Sequence, residues 1–189
     1  MAEFVLVVAN GEFPSDELFE ALIEQADFTI ALDGAADRFE GWDVVIGDLD
    51  SIKSREGLET TDNQDDSDLA KALKKYDVDA VVGIAGGRLD HQLQAYTSLV
   101  ESNSDAILYL DGWRACRVPD DGLSIELESG SICALFALGP VESVTLSGCE
   151  FEMNNENLNT GTKGVGNTAI GGAVEISHAT GDLLFVWST

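Results

Sequence analysis

Closely spaced aspartates dominate the first half of the chain and point to a bound cation. They occur as Asp33-Gly34, as Asp48-Leu49-Asp50 and in the run Asp65–Asp68. Carboxylates that lie one residue apart repel each other, and a folded protein tolerates this most readily where a cation is bound. Hard divalent ions such as Mg²⁺ prefer oxygen ligands and usually share them with substrate phosphates. The pattern therefore predicts a metal-assisted phosphate-transfer site that is spread over several loops.

A glycine pair beside a cation supplies a candidate phosphate contact. The segment reads Gly86-Gly87-Arg88-Leu89-Asp90-His91. The glycines would let the backbone approach a phosphate, and a helix that begins at Asp90 would add a favourable dipole. Arg88 is the predicted phosphate contact, because a guanidinium group binds phosphate through charge-assisted hydrogen bonds. Asp90 and His91 are predicted to orient the site or to hold the nucleotide.

The segments around these motifs alternate between strand-like and helix-like patterns. Continuous apolar runs predict strands at residues 4–9, 28–32, 44–46 and 80–84. Amphipathic segments predict helices that begin near Ser15, Ser67 and Asp90, with serine caps at the first two. This alternation is typical of a parallel sheet covered on both faces. Ligands of such sheets bind beyond the carboxyl ends of the strands, so the motifs are predicted to meet at one edge. Three lysines of the second helix are interpreted as a solvated face: Lys71, Lys74 and Lys75.

The pattern changes after about residue 104. Short strand-like runs then follow one another, separated by Gly, Asn and Asp turns, and no helical period persists. Such a series is typical of an antiparallel sandwich or barrel. The predicted fold class is α/β: an N-terminal, mostly parallel sheet flanked by helices over residues 1–104, and a C-terminal all-β sandwich over residues 105–189.

The composition excludes one class of partner. Among the 189 residues, Asp and Glu number 35 against 10 Lys and Arg, so the formal net charge is −25. Binding of nucleic acid needs a basic footprint, so a long nucleic acid is not expected as a partner. Most of the acids are interpreted as a solvated surface, which favours solubility.

The sequence favours a cytoplasmic, reduced protein without a membrane anchor. The three cysteines, Cys116, Cys133 and Cys149, lack metal-ligand spacing and are odd in number, which speaks against a disulfide framework. The first residues are apolar but carry Glu3 and no basic region, so they are interpreted as a buried strand. No stretch approaches membrane-spanning length without charges.

Four motifs occur in order along the first half of the chain. They are Asp33-Gly34-Ala35, Gly47-Asp48-x-Asp50-Ser51, Gln64-Asp65-x-Ser67-Asp68 and Gly86-Gly87-Arg88-x-Asp90-His91. This ordered set resembles the thiamine pyrophosphokinase family, and the resemblance covers essentially the whole chain. It implies an N-terminal α/β domain, a C-terminal β-sandwich and a homodimer. It also implies an enzyme that moves a diphosphoryl group from ATP to the hydroxyl of thiamine and leaves AMP.

The resemblance further implies roles for individual side chains. Asp48, Asp50 and Asp68 would be the Mg²⁺ ligands, and the ion would clamp the ATP phosphates. Asp33 would either bind the ion through water or accept the thiamine proton, and both roles stay open. Together these four aspartates are the expected catalytic set. The expected ATP contacts are Gln64, Gly87, Arg88, Asp90 and His91.

Candidate thiamine contacts lie in the second half of the chain. The stretch Gly161–Asn167 looks like the family's thiamine-contacting loop, with Gly166 where the family usually has serine. Asn167 is expected to hydrogen-bond to thiamine. In the final strand, Phe185 and Trp187 alternate onto one face. They either pack in the core or stack on the cationic thiazolium ring, as aromatic side chains are suited to do both.

Two other functions are compatible with the motifs. One is a diphosphokinase that acts on another hydroxymethyl heterocycle, such as a pterin. The other is a non-catalytic protein that binds a cation or a nucleotide. The β-rich second half favours thiamine as the acceptor, since that half supplies the thiamine pocket of the family it resembles.

Overall fold

A computed structural model of the chain describes residues 3–47, 58–59 and 65–189. The chain divides into two compact units, of which the first ends at Asp111 and the second is Gly112–Thr189. The division falls after the boundary predicted at residues 104 and 105, because the strand Ile107–Leu110 belongs to the sheet of the first unit. Three predicted site residues lie outside the described residues: Asp48, Asp50 and Gln64. Within the ranges described, no helix combines the length and the apolar character needed to cross a membrane.

The first unit is built around a parallel sheet. Its described strands are β1 (Val5–Val8), β2 (Phe28–Leu32), β3 (Val44–Ile46), β4 (Leu58–Glu59), β5 (Ala80–Val82) and β6 (Ile107–Leu110). The order across the sheet is β4-β3-β2-β1-β5-β6, and every pairing in it is parallel. The helices are α1 (Asp16–Gln25), α2 (Asp68–Lys75) and α3 (Leu89–Glu101), and a 3₁₀ turn spans Asp33–Asp37.

Continuous apolar runs form the central strands of this sheet, as predicted. All of β1 is buried, and Leu6 and Val8 pack in one cluster with Leu22 of α1. On α2 and α3, the buried side chains include Leu69 and Leu99. Burial on both sides of each strand excludes water from the backbone hydrogen bonds and explains why no polar alternation is seen.

Serine side chains begin the first two helices. The Oγ of Ser15 accepts a hydrogen bond from the N–H of Leu18, and the Oγ of Ser67 accepts one from the N–H of Ala70. These caps satisfy backbone donors that have no partner inside the helix. The predicted helix starts near Ser15 and Ser67 are therefore confirmed.

The second unit is entirely β in its secondary structure, and its paired strands run antiparallel. Its strands are β7 (Trp113–Arg117), β8 (Leu123–Leu127), β9 (Ile132–Ser147), β10 (Met153–Leu158), β11 (Asn167–Thr168), β12 (Gly172–Ser177) and β13 (Thr180–Ser188). The long strand β9 is shared: one part pairs with β13 and β11, and the other pairs with β10 and β12. The predicted β-rich second half is confirmed.

Side chains alternate between buried and exposed positions along the shared strand. Cys133 and Leu135 are buried, whereas Ile132 and Phe136 on the opposite face are exposed. The period of two places one face of β9 in the core and leaves an apolar face outside.

Candidate active site

A cavity of about 700 Å³ lies at the carboxyl edge of the parallel sheet. The residues that follow β1, β2 and β5 line it, as do the first turns of α2 and α3. Five of the predicted site residues are among its lining: Asp33, Asp68, Gly87, Arg88 and His91. The neighbours of β1 are β2 on one side and β5 on the other, so the cavity opens where the order of strands reverses. Ligands of open α/β sheets bind at such switch points.

Asp33 stands on a strained backbone at the end of β2. Its φ is +43°, in the left-handed region that non-glycine residues rarely adopt. Gly47 leaves room for it, since a Cβ added to Gly47 would lie 3.1 Å from the Cβ of Asp33. Strain of this kind costs about 1–3 kcal/mol and concentrates at functional sites, where it fixes the direction of a side chain. The strained backbone thus fixes the direction of the Asp33 side chain, which lines the cavity.

The glycine pair forms the turn into α3. Gly86 and Gly87 have φ values of +69° and +64°. A Cβ on Gly86 would lie 2.2 Å from the carboxyl carbon of Glu12, whereas nothing lies within 4 Å of a Cβ on Gly87. The side chain of Gln92 donates a hydrogen bond to the carbonyl of Gly86 (3.0 Å) and anchors the turn to α3. Gly87 thus leaves open space next to the cavity, as a phosphate contact requires.

Arg88 and Asp90 form a two-point ion pair at the mouth of the cavity. The Nε of Arg88 lies 3.1 Å from Oδ1 of Asp90, and the Nη2 donates to Oδ2. The hydrogen bond from Arg88 lowers the pKa of the Asp90 carboxyl below its ordinary value. The backbone N–H of His91 also donates to Asp90 (3.1 Å). Asp90 therefore orients the guanidinium group of Arg88.

Two cavity residues were missed by sequence reasoning. Lys71 is not on a solvated face: its Nζ lies 3.0 Å from Oδ1 of Asp68, and its side chain is 12% exposed. Gln94 of α3 donates hydrogen bonds to the Oγ of Ser67 and to that of Ser98. The spacing of Asp68 and Lys71 was a signal for their pairing, but nothing local pointed to Gln94.

The described carboxylates of the cavity suit a hard cation. Asp33, Asp66 and Asp68 all line it, as does Ser67. Oxygen donors of this type are the ones that Mg²⁺ takes. Among the residues that the structure describes, no group of three or more His, Cys, Asp or Glu side chains is arranged to hold a metal. The predicted partners Asp48 and Asp50 lie outside that part of the chain.

In the second unit, the amide of Asn167 is occupied by the backbone of another loop. Its Oδ1 accepts from the N–H of Phe151 (3.0 Å), and its Nδ2 donates to the carbonyl of Phe151 (2.7 Å). Asn167 is 5% exposed, whereas Phe151 is 68% exposed. Both polar groups of the buried Asn167 side chain are therefore bonded to the backbone of Phe151. Gly166, beside it, has a φ of +78° with nothing within 4 Å of a Cβ, so serine there would have space but a strained backbone.

The aromatic rings of the last strand lie in the core. Phe185 is 0% and Trp187 is 5% exposed. Their rings stack on each other with centroids 5.3 Å apart. Of the alternatives set out for these residues, burial supports packing in the core over stacking on a ligand.

Comparison with models of protein families shows the family to which the chain belongs. Residues 19–110 match the model of the thiamin pyrophosphokinase catalytic domain, and residues 123–182 match that of the thiamin pyrophosphokinase vitamin B1 binding domain. The chain belongs to the thiamin pyrophosphokinase family. Among curated proteins, none matches it significantly. As a member of the thiamin pyrophosphokinase family, the chain is an enzyme that transfers a diphosphoryl group from ATP to thiamine.

Solved structures of thiamin pyrophosphokinases share the fold. The enzyme from Bacillus subtilis superposes with a TM-score of 0.77 at 22% identity, over 99% of each chain. That from Candida albicans gives a TM-score of 0.76 at 14% identity, over 99% of this chain and 89% of the other. The yeast enzyme gives 0.75 at 16% identity, over 100% and 87%. The thiamin pyrophosphokinase fold is thus retained at low identity along the whole chain.

Proposed function

We propose that the cavity of the first unit is where the diphosphoryl group is transferred, with Asp33, Asp48, Asp50 and Asp68 as the catalytic carboxylates. The observation that carries this proposal is the meeting of separate motifs in one cavity. Asp33 follows β2, Asp68 begins α2 and Arg88 precedes α3, yet all three line the same 700 Å³ space. Positioning and electrostatic stabilisation are what phosphoryl transfer chiefly needs.

The reaction exchanges one phosphorus–oxygen bond for another. The hydroxyl oxygen of thiamine bonds to the β-phosphorus of ATP, and the bond from that phosphorus to the oxygen bridging to the α-phosphorus breaks. The electron pair of the broken bond leaves with AMP. We assign the hydroxyl proton to Asp33, whose strained backbone holds its carboxylate at the cavity.

We further propose that Asp68 holds Mg²⁺ together with Asp48 and Asp50. The oxygen-donor lining of the cavity supports this. When bound, the ion neutralises charge on the phosphates. The chain's own cations assist: Arg88 contacts a phosphate while Asp90 orients it, and Gly87 lets the backbone approach. Gln64 and His91 complete the proposed ATP contacts.

Thiamine is proposed to bind the second unit against Phe151. The exposed aromatic ring offers a face for the cationic thiazolium. Asn167 then acts indirectly, by fixing the Phe151 backbone through both of its polar groups. Gly166 shapes the same loop through its left-handed backbone.

A homodimer in the cytoplasm is the proposed working state. In the second unit, the exposed apolar side chains include Trp113 of β7 and Ile132 and Phe136 of β9, the two strands that flank β13. Exposed apolar area of this kind marks an interaction surface. The buried cysteines Cys133 and Cys149 form no disulfide, which fits a reducing compartment.

Turnover of ATP and thiamine by aspartate variants tests the assignment. Asp33→Asn and Asp68→Asn each remove a charge with little change in volume, so formation of AMP and thiamine diphosphate should fall by about 100-fold or more. Asp77→Asn, at an exposed position after α2, is the matched control and should keep full activity. Near-normal turnover by the first two variants would refute the assignment of these carboxylates.

A further inference from the structure

Lys71 lies deeper than a lysine of a solvated helix face. Its side chain is 12% exposed, whereas that of Lys74 on the same helix is 38% exposed. Lys71 lines the cavity beside Asp33 and Arg88. Confining a long side chain costs rotamer entropy, and removing an ammonium group from water is unfavourable unless it meets an anion. The placement of Lys71 therefore requires an anionic partner inside the cavity.

The partner seen in the structure is Asp68. The Nζ of Lys71 lies 3.0 Å from Oδ1 of Asp68. Lys71 is the fourth residue of α2, and the positive end of a helix disfavours a lysine. An i,i+3 ion pair adds little to helix stability, so α2 does not need this lysine. The pair also opposes the proposed role of Asp68, since an ammonium group and a cation compete for the same carboxylate oxygen.

We propose that Lys71 is a phosphate-binding residue, which exchanges Asp68 for a phosphate of ATP when the nucleotide binds. The inference rests on the proposed function, in which Asp68 is a metal ligand. A lysine ammonium is a compact charge on a flexible stem, so it changes partner without movement of the helix backbone. In a cavity lined by Asp33, Asp66 and Asp68, it offsets the repulsion between carboxylates and phosphates.

The same arrangement recurs at Arg88, a second cation among the described residues of the cavity lining. The carboxylate of Asp90 holds Arg88, as that of Asp68 holds Lys71. Lys71 is the fourth residue of α2 and Arg88 is the residue before α3, so both lie near helix N-termini, which favour anions. Two carboxylate-held cations on neighbouring helices thus form the positive side of an otherwise acidic cavity.

The proposal predicts two opposite effects of removing the charge of Lys71: Mn²⁺ alone should bind more tightly, and kcat/KM for ATP should fall. Lys71→Met keeps the stem but removes the charge. Without the competing ammonium group, Mn²⁺ measured by electron paramagnetic resonance in the absence of nucleotide should bind about two- to fivefold more tightly. The value of kcat/KM for ATP should fall about 10- to 100-fold, as expected for loss of a charge-assisted hydrogen bond. The KM for thiamine should stay unchanged.

Two further variants separate charge from structure. Lys75→Met removes the same charge from an exposed position of α2 and should alter neither measurement. Lys71→Arg keeps the charge and should restore part of kcat/KM for ATP, and it carries the test if Lys71→Met does not fold. A merely structural lysine would weaken Mn²⁺ and ATP binding together in Lys71→Met, and that result would overturn the proposal.

A fourth variant distinguishes a failure of this proposal from a failure of the proposed function. Asp68→Asn should weaken Mn²⁺ binding if Asp68 is a ligand. Unchanged Mn²⁺ affinity in Asp68→Asn refutes the metal assignment. Weaker Mn²⁺ binding in Asp68→Asn, together with unchanged kcat/KM for ATP in Lys71→Met, refutes the exchange by Lys71 alone.

Discussion

At the scale of single residues, Asn167 shows how a buried polar side chain fixes the backbone of an exposed residue. Its amide bonds to both backbone groups of Phe151, which lies 16 residues away in sequence. The bonds fix the backbone from which the exposed ring of Phe151 projects. Under the proposal that thiamine binds against Phe151, Asn167 affects thiamine binding without touching thiamine.

Replacement of Asn167 by alanine should lower stability as well as thiamine binding. The loss leaves the N–H and C=O of Phe151 without their partner, which costs about 1–3 kcal/mol. Urea unfolding measures this change, and the KM for thiamine should rise in parallel. Asn154→Ala, at an exposed position of β10, is the control and should leave both values unchanged. A raised KM with unaltered stability would instead indicate direct contact between Asn167 and thiamine.

A substitution of Phe151 tests the aromatic ring separately from the Asn167 side chain that holds its backbone. Phe151→Leu removes the aromatic face from an exposed position, so stability should change little. The KM for thiamine should rise about fivefold to 30-fold, the effect of losing a desolvated cation–π contact. Steady-state kinetics with ATP held at saturation provides the measurement. An unchanged KM for thiamine would exclude Phe151 from the acceptor site.

The paired thiols of the second unit should be inert in the folded protein. The sulfur atoms of Cys133 and Cys149 lie 3.4 Å apart. Burial raises both pKa values, that of Cys149 to about 12 from an ordinary 9.0. A raised thiol pKa stabilises the fold below the unfolded pKa, and this contribution is lost as pH rises from 9.0 towards 12.

Alkylation by iodoacetamide tests this inertness. The thiolate is the reactive form, so native Cys149 should resist modification at pH values near the ordinary thiol pKa. The same cysteine should react readily in urea, and mass spectrometry of the peptides distinguishes the two states. Equal rates in folded and unfolded protein would show that the thiol is accessible and normally acidic.

At the scale of elements, the position of α2 relative to α3 decides where Asp68 lies. Gln94 of α3 donates to Ser67, which is the N-cap of α2. Gln94→Leu removes this hydrogen bond between α3 and α2, which contributes about 1 kcal/mol. The variant should therefore lower kcat more than it raises the KM for thiamine. Thr97→Ala, on the exposed face of α3, is the control for a change in the helix itself. Unaltered kcat in Gln94→Leu would show that Asp68 is positioned without this hydrogen bond.

The elements also explain which site residues the sequence could predict. Asp33 and Arg88 follow predicted strands, and parallel strands bring their carboxyl ends to one edge whatever the separation in sequence. The interpretation of Lys71 as part of a solvated face was wrong. Nothing in the sequence distinguishes it from the other two lysines of α2, although it alone of the three lines the described cavity. The expected contact of Asn167 with thiamine stays a prediction, and its hydrogen bonds to Phe151 could not be predicted because no local pattern connects the two segments.

At the scale of the molecule, the exposed apolar face of the second unit should mediate association. Phe136→Glu places a charge on that face of β9, and burying it against a second copy would be unfavourable. The variant should sediment as a monomer at micromolar concentration while the parent sediments as a dimer. Ala173→Glu adds the same charge at an exposed position of β12 and should remain dimeric. A monomeric parent protein would contradict the proposed dimer.

The place of β13 has a consequence for synthesis. This strand, Thr180–Ser188, lies between β7 and β9, which pair with it from either side. A ribosome delivers β7 and β9 first, so both present open edges until β13 has left the exit tunnel. The strands of the parallel sheet in the first unit all precede Gly112, so they pair while the second unit is still being synthesised. The second unit keeps unpaired strand edges until β13 has emerged, and this is the stage at which a nascent chain most needs a chaperone.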